Sequence, residues 1–250
     1  MKKNDVAIEI RGLSKNFHDK AAVINLDLDV CYGEITALLG SNGAGKTTTI
    51  NMIVGFLQAT EGKISISGLN LQEEKNHLKV KNLLGHMGTE MALYEKFSVK
   101  ESWELFASLR KIEKKSFKKR IDYLMELFEI DGFQNKRYNE LSSGQKQKSL
   151  IVATVLHDPP ILIFDEVTAS LDVITSRSIM DFIKMERSRG KAILFSTHIL
   201  SEVEYLCDKV AILHEGKLRD VTNPQELMKK HQVSNMTDAF YYAIKNYKGE

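Results

Sequence analysis

Apolar and polar positions recur along the chain with two different periods, and the switches between them outline its architecture. Residues 6–11 read as a strand. Residues 23–30 alternate strictly, with Ile24, Leu26, Leu28 and Val30 on one face and Asn25, Asp27 and Asp29 on the other. A period of two with one wet face predicts an antiparallel sheet. Phe17 falls in the loop before that strand. Residues 34–39 form a short buried strand. Residues 46–54 then read as a helix capped by Gly55, and residues 63–67 as a strand stopping at Gly68. Residues 83–87 are one more short apolar run.

Near residue 90 the spacing becomes helical. Ser98 with Glu101 is a capping box and opens a helix bearing Trp103, Phe106, Ala107 and Leu109. Ser116 is expected to start a second helix, with Ile121, Leu124, Met125, Leu127 and Phe128 as its apolar stripe. Ser142 starts a third, which ends before Pro159 and Pro160. The lysine-rich residues 111–119 read as a solvated loop between the first two. From residue 161 strands and helices alternate again. Strands are expected at 161–164, 192–195 and 210–213, helices at 173–189 and 200–207, and a hairpin at Glu215-Gly216. Pro224 opens a helix. Asn235 with Asp238 caps a last one, whose apolar side carries Met236, Ala239, Phe240, Ala243 and Ile244. Tyr241, Tyr242 and Tyr247 cluster there, as part of an amphipathic helix folding back onto the core. The whole predicts an α/β domain with a largely parallel sheet. Its expected parts are a core at 1–89 and 158–223, a helical subdomain at 90–157 and a C-terminal helical tail at 224–250.

Composition narrows the partners. The 250 residues carry a net charge of +2, which gives no electrostatic case for nucleic acid. Cys31 and Cys207 show no metal-ligand spacing and fit free thiols in a reducing compartment. Met1-Lys2-Lys3-Asn4-Asp5 has no apolar stretch behind it, so no signal peptide is expected. No run approaches eighteen apolar residues. If the chain moves something across a bilayer, another chain supplies the channel.

The chemistry begins at Gly40-Ser41-Asn42-Gly43-Ala44-Gly45-Lys46-Thr47, which fits G-x-x-x-x-G-K-[ST] without a mismatch. Glycines let the backbone curl closely around a polyphosphate, and successive amides with the following helix N-terminus supply positive potential. Lys46 would reach the outer phosphates, with Thr48 beside it in the same helix start, and the Thr47 hydroxyl would ligate Mg²⁺. Residues 161–164 are apolar and end in Asp165-Glu166. A buried strand would carry Asp165 to the sheet edge beside the phosphate loop, where it can hold Mg²⁺ through water, and Glu166 is placed to polarise an attacking water.

With these motifs in place the chain resembles the ATP-binding subunits of ABC transporters over nearly all its length. Leu141-Ser142-Ser143-Gly144-Gln145 is similar to the family's signature segment. Ser170-Leu171-Asp172 looks like the loop that communicates between sites, and Ser196-Thr197-His198 like the switch that holds the γ-phosphate. Phe17 falls where the family stacks an aromatic on adenine. The resemblance implies a P-loop NTPase (RecA-like) core with an antiparallel β subdomain and an inserted α-helical subdomain. It implies ATP and Mg²⁺ as cofactors and a head-to-tail dimer with itself or a homologous subunit, in which Ser142 and Gly144 act across the dimer. It further implies a separately encoded membrane permease, no nucleic acid, and a place on the cytoplasmic face of the membrane. The residues around Asp165-Glu166 and His198, with Lys146-Gln147-Lys148, look closest to sodium-exporting ABC ATPases. Exporters of drugs, lipids or antimicrobial peptides share such strings, and a soluble ABC ATPase acting on ribosome or nucleic acid is the more distant alternative.

Three departures stand out. Thr89 occupies the place of the family's loop glutamine and is shorter. Ser143 replaces the first signature glycine. Val167 replaces the usual proline after the catalytic glutamate and has no functional reading. Met87, Met91 and Leu93 lie near the joint between core and helical insert, where the family receives a helix of the membrane subunit or where ordinary core would do.

Overall fold

Two sheets carry the chain in a computed structural model that describes residues 5–18, 20–169 and 171–245. Ser170 and Tyr247 lie outside the described residues. The smaller sheet is antiparallel in the order β2-β1-β4-β5. It is built from β1 (Val6–Phe17), β2 (Lys20–Cys31), β4 (Glu61–Ile66) and β5 (Leu69–Asn70). The larger runs β10-β9-β3-β8-β7-β6. Here β6 (Leu84–Met87), β7 (Ile161–Asp165), β8 (Ala192–Thr197), β3 (Ile35–Leu39) and β9 (Lys209–His214) are parallel. The strand β10 (Lys217–Thr222) closes one edge in antiparallel pairing. Every residue of β3, β7 and β8 is buried, as the centre of a parallel sheet covered on both faces requires.

Helix α1 (Lys46–Ile53) follows β3, and α2 (Glu74–Leu83) precedes β6. Between β6 and β7 come α3 (Val99–Leu109), α4 (Lys114–Leu127), one 3-10 turn and α5 (Ser143–Val155). Then follow α6 (Val173–Ser188), α7 (Leu200–Leu206), α8 (Pro224–His231) and α9 (Met236–Lys245). Both caps foreseen in the insert are present. Ser98 and Glu101 satisfy each other's backbone amides at the start of α3, and Ser142 and Gln145 do the same at α5.

One apolar cluster joins the insert to the sheet. Trp103, Phe128, Leu150 and Ile151 pack in it with Phe164, Phe182 and Phe195. Trp103 is fully buried, and its indole N–H donates to the Ser149 carbonyl at 3.0 Å, which fastens α3 to α5. A second cluster lies between the antiparallel sheet and α1. A third seats α7, α8 and α9 on β9 and β3 through Leu39, Ile212, Leu227, Met236 and Ala239.

Several expectations need correction. Phe17 is the last residue of β1, not part of a loop, because the hairpin to β2 is tight. In β2 the alternation breaks at Asn25, whose φ of 44° marks a register shift, so Val23 rather than Ile24 joins the buried face. Helix α4 starts at Lys114, not Ser116, so most of the lysine-rich stretch is helix. Lysine is a good helix former, and part-buried Phe117 gives the first turn something to pack against. Leu109 faces solvent, and α2, with few apolar positions, had no periodic signal. In α9 the aromatic pair divides from the apolar side: Ala239 and Ala243 are buried, while Tyr241 and Tyr242 stack edge to face in solvent.

His157 closes the joint after α5. Its Nε2–H donates to the Leu84 carbonyl at 3.1 Å, and burial, with Arg110 nearby, lowers its pKa from 6.5 to about 4. The unfolded chain therefore takes the proton first as pH falls. Stability present above pH 6.5 is expected to be lost down to about pH 4, by at most about 3 kcal/mol and less for a ring that keeps some solvent. Urea unfolding across that window measures the slope, and His157→Gln is expected to flatten it.

Candidate functional site

The register of the central strands assembles the site. Leu39 pairs with Thr197, and Asp165 with Ser196, so β3, β7 and β8 end at one level. The segments that follow them, beginning at Gly40, Glu166 and His198, emerge side by side at the carboxyl edge of the sheet, where open α/β folds place ligands. The first two of them border a cavity of about 740 Å³, which His198 does not line.

Steric limits shape the loop after β3. A Cβ on Gly40 would come within 2.4 Å of the Leu213 carbonyl oxygen. One on Gly45, at φ 108°, would come within 2.6 Å of the Ala22 oxygen. Gly43 has open space around it but adopts φ 80°, a conformation that side chains resist. The turn is closed by the Ala44 amide donating to Ser41 at 3.2 Å. The β9–β10 hairpin braces it from outside, with the Gly216 amide donating to the Ala44 carbonyl at 3.0 Å. Gly216 also touches Ala22, so the loop is held between β2 and the hairpin tip.

Lys46 is buried, and its Nζ donates to the carbonyls of Gly40 at 2.8 Å and Ser41 at 3.1 Å. It also pairs with Glu166 Oε1 at 3.2 Å. His198 Nδ1 lies 3.5 Å from the same oxygen. Glu166 has φ 50°, a left-handed conformation that costs a non-glycine residue about 1 kcal/mol or more. Its amide is tied to Ser196 through the carbonyl at 3.2 Å and Oγ at 3.1 Å, and its carbonyl accepts from Ala169 at 3.0 Å. Ser196 Oγ donates to the buried Asp165 carboxylate. Thr197 Oγ1 donates to Glu202 at 2.6 Å, which fixes the backbone entering His198. Thr47, Thr48, Thr89 and Asn42 face the cavity with Lys46 and Glu166. Phe17 lies at its rim, 45% exposed.

The donor set can be matched to groups the structure does not carry. A glycine cradle with no room for side chains and a buried ammonium at its centre fits a polyphosphate. Among the described residues no cluster of three or more His, Cys, Asp or Glu could hold a metal unaided. One carboxylate and one hydroxyl fit Mg²⁺, which takes few protein ligands and completes its octahedron with phosphate and water.

The segment at Ser142, Ser143, Gly144 and Gln145 does not line this cavity. Ser142 caps α5, and Gly144 abuts Thr175, whose Oγ1 would be 3.2 Å from an added Cβ. Asp172 caps α6 through the Thr175 amide at 2.9 Å, bonds that hold its carboxyl below the ordinary value. The far face of the site is tied to α5 by Gln147, whose side-chain amide donates to the Val167 carbonyl.

Several residues at or near the site had no signal in the sequence. Lys20, Ala22 and Glu215 line the cavity at the Phe17 end, and hairpin tips far apart in sequence give no motif to find. Ser196 stood within a recognised string, but its double grip on Asp165 and Glu166 did not. His86 is also unforeseen: burial lowers its pKa, Phe56 meets it edge-on at 5.6 Å, and its Nε2 is buried without a hydrogen-bond partner.

The chain is similar to known proteins over most of its length. The family described as "ABC transporter" matches residues 23–169. The ABC transporter ATP-binding protein NatA of Bacillus subtilis (strain 168) is 36% identical over 216 residues, covering 84% of this chain and 87% of that one. Nod factor export ATP-binding protein I of Rhizobium sp. (strain N33) is 31% identical, over 90% of this chain and 74% of that one. A solved ATP-binding subunit of an ABC transporter superposes with a TM-score of 0.88 at 27% identity, covering 95% of this chain and 99% of that one. The chain therefore belongs to the ABC transporter family, as its ATP-binding subunit, and is an ATPase.

Proposed function

We propose that two copies of this subunit, or one copy and a homologue, sandwich two Mg-ATP molecules head to tail and that their closure drives a separately encoded membrane permease. The observation that carries the reading is the convergence of Lys46 and His198 on one oxygen of Glu166, at 3.2 and 3.5 Å, where Glu166 and Lys46 line a cavity bounded by the phosphate loop. Loop amides from Gly40 to Thr48 and Lys46 bind the phosphates, and Phe17 stacks on the base. Thr47 and Asp165 hold Mg²⁺, which when bound neutralises charge on the phosphates. Glu166 accepts the proton of the attacking water, and the neighbouring Lys46 and His198 keep its carboxylate aimed into the cavity. His198 orients the terminal phosphate. Thr89, shorter than the glutamine usual at its place, reaches that water through its hydroxyl.

Ser142, Ser143, Gly144 and Gln145, with Asp172, act on the nucleotide of the other subunit. That none of them lines their own chain's cavity supports this division. The functional parts are a core at 1–89 and 158–223, a helical subdomain at 90–157 and the C-terminal helices. Among the described residues no helix is long and apolar enough to cross a membrane. The permease of this reading holds the subunit at the cytoplasmic face. Sodium export is the cargo favoured by the strings around Glu166 and His198 and by the likeness to NatA. The likeness to a Nod factor exporter at 31% identity favours a second reading, export of an organic molecule.

Glu166→Gln is expected to keep nucleotide-induced thermal stabilisation while phosphate release falls at least about 100-fold. Retained turnover would remove Glu166 from the reaction. The same variant with ATP should elute as a dimer, and adding Ser142→Ala should return it to monomer. Lys46→Ala should abolish the nucleotide-induced rise in melting temperature, and an unchanged rise would refute its role. A tagged chain recovered from detergent-solubilised membranes should bring one multi-span protein at about one-to-one ratio. Reconstituted together, the pair should move Na⁺; ribosomal proteins or nucleic acid in the pull-down would overturn the transporter reading.

A further inference from the structure

One buried hydroxyl touches both acidic residues at the end of β7. Ser196 is fully buried in β8, and its register opposite Asp165 brings its side chain to that end. Its Oγ donates its single proton to Asp165 Oδ1. The same oxygen accepts from the Glu166 amide at 3.1 Å, and that amide also reaches the Ser196 carbonyl at 3.2 Å. One residue thus supports the carboxylate of Asp165 and fixes the backbone that carries the carboxylate of Glu166.

A buried hydroxyl must find some partner, and a group close in sequence usually serves. Thr49, Ser102 and Ser149 each donate to the carbonyl four residues back. Thr197 accepts from the Ile199 amide and donates to Glu202. Ser196 instead reaches across strands, to partners 30 and 31 positions away in the chain. Both partners need it. Asp165 is 2% exposed, and a carboxylate so far from water requires a donor. A donor on Oδ1 also restrains rotation of the carboxyl group. Glu166 sits at φ 50°, a conformation that persists only where its surroundings impose it. Ser196 does not line the cavity itself, so its hold on the two acids is separate from the contacts available to the nucleotide.

We propose that Ser196 is a positioning residue that makes the ion-holding and the water-activating carboxylates one unit, setting Mg²⁺ affinity and turnover together and leaving ATP affinity alone. The inference rests on the roles given above to Asp165 and Glu166. Hydrogen bonds placed behind a metal-holding side chain are worth roughly 10–100-fold in metal affinity or activity. With alanine at 196 the Asp165 carboxyl loses its donor and turns freely, and the Glu166 amide keeps only the Ser196 carbonyl.

Ser196→Ala in the full chain tests this. Turnover should fall at least about tenfold, with the KM for ATP changed by no more than about twofold. Ion binding is read without turnover, in a Glu166→Gln background at saturating ATP, as the free Mg²⁺ that gives half of the metal-dependent rise in melting temperature. Adding Ser196→Ala should raise that concentration at least about tenfold. In EDTA, the rise produced by ATP alone should be the same with and without it. A merely structural hydroxyl would lower the melting temperature of the nucleotide-free chain and leave the Mg²⁺ midpoint in place. That outcome, or unchanged turnover, would overturn the proposal. Ser196→Cys, whose S–H is a weak donor, should show the same division in smaller measure and carries the test if the alanine variant does not fold. Asp165→Asn and Glu166→Gln distinguish this inference from the reading beneath it. If they leave the Mg²⁺ midpoint and turnover respectively unchanged, the roles of Asp165 and Glu166 fail. If they alter both and Ser196→Ala alters neither, only the role of Ser196 fails.

Discussion

The buried ammonium of Lys46 is the charge around which the site is organised. Taking such a group out of water costs several kcal/mol unless it is paired and hydrogen-bonded. Here two loop carbonyls and the Glu166 carboxylate meet that need together. The arrangement constrains everything near it. The loop must curl until the carbonyls of Gly40 and Ser41 point at Nζ, which leaves no room for side chains at Gly40 or Gly45. Glu166 must turn back sharply from the end of β7, which requires its left-handed backbone.

The strain at Glu166 is held in place by its neighbours. Ser196 binds its amide twice and grips Asp165 as well, so the two acidic residues move with β8. The Gln147 bond to Val167 then ties the segment after them to the N-terminal half of α5, which Ser142 caps. At the base of the insert Asp158 meets Arg120, Arg189 and Lys191, joining α4 to the segment around the end of α6. These polar attachments of the helical insert to the core add to the bonds of His157 to Leu84 and of Arg110 to Lys81, and to the apolar contact through Phe164 and Phe182.

Much of this was legible in the sequence because the relevant signals are local. The phosphate loop, the Asp165-Glu166 pair after an apolar run and the caps at Ser98 and Ser142 each lie within a few residues. The central strands declared themselves as continuous apolar runs because both their faces are covered. What escaped depends on contacts between distant segments. The shift at Asn25 follows from how β2 pairs with β1. The early start of α4 follows from Phe117 finding a tertiary partner. Helix α2 is too polar to show a period, and the hairpin tip at Glu215 reaches the cavity only because β9 lies beside β3. The Phe17 hairpin is shorter than loop composition suggested.

That hairpin tip alters how the C-terminal part should be regarded. Gly216 hydrogen-bonds Ala44, and Leu213 crowds Gly40, so the nucleotide loop is moulded against β9 and β10. Those strands are in turn clamped by α8 and α9 through Ile212, Leu227, Met236 and Ala239. The final helices are therefore a foundation for the turn after β3 and not an appendage. Any protein that grips the exposed Tyr241 and Tyr242 would hold a lever whose short arm ends at the buried Lys46.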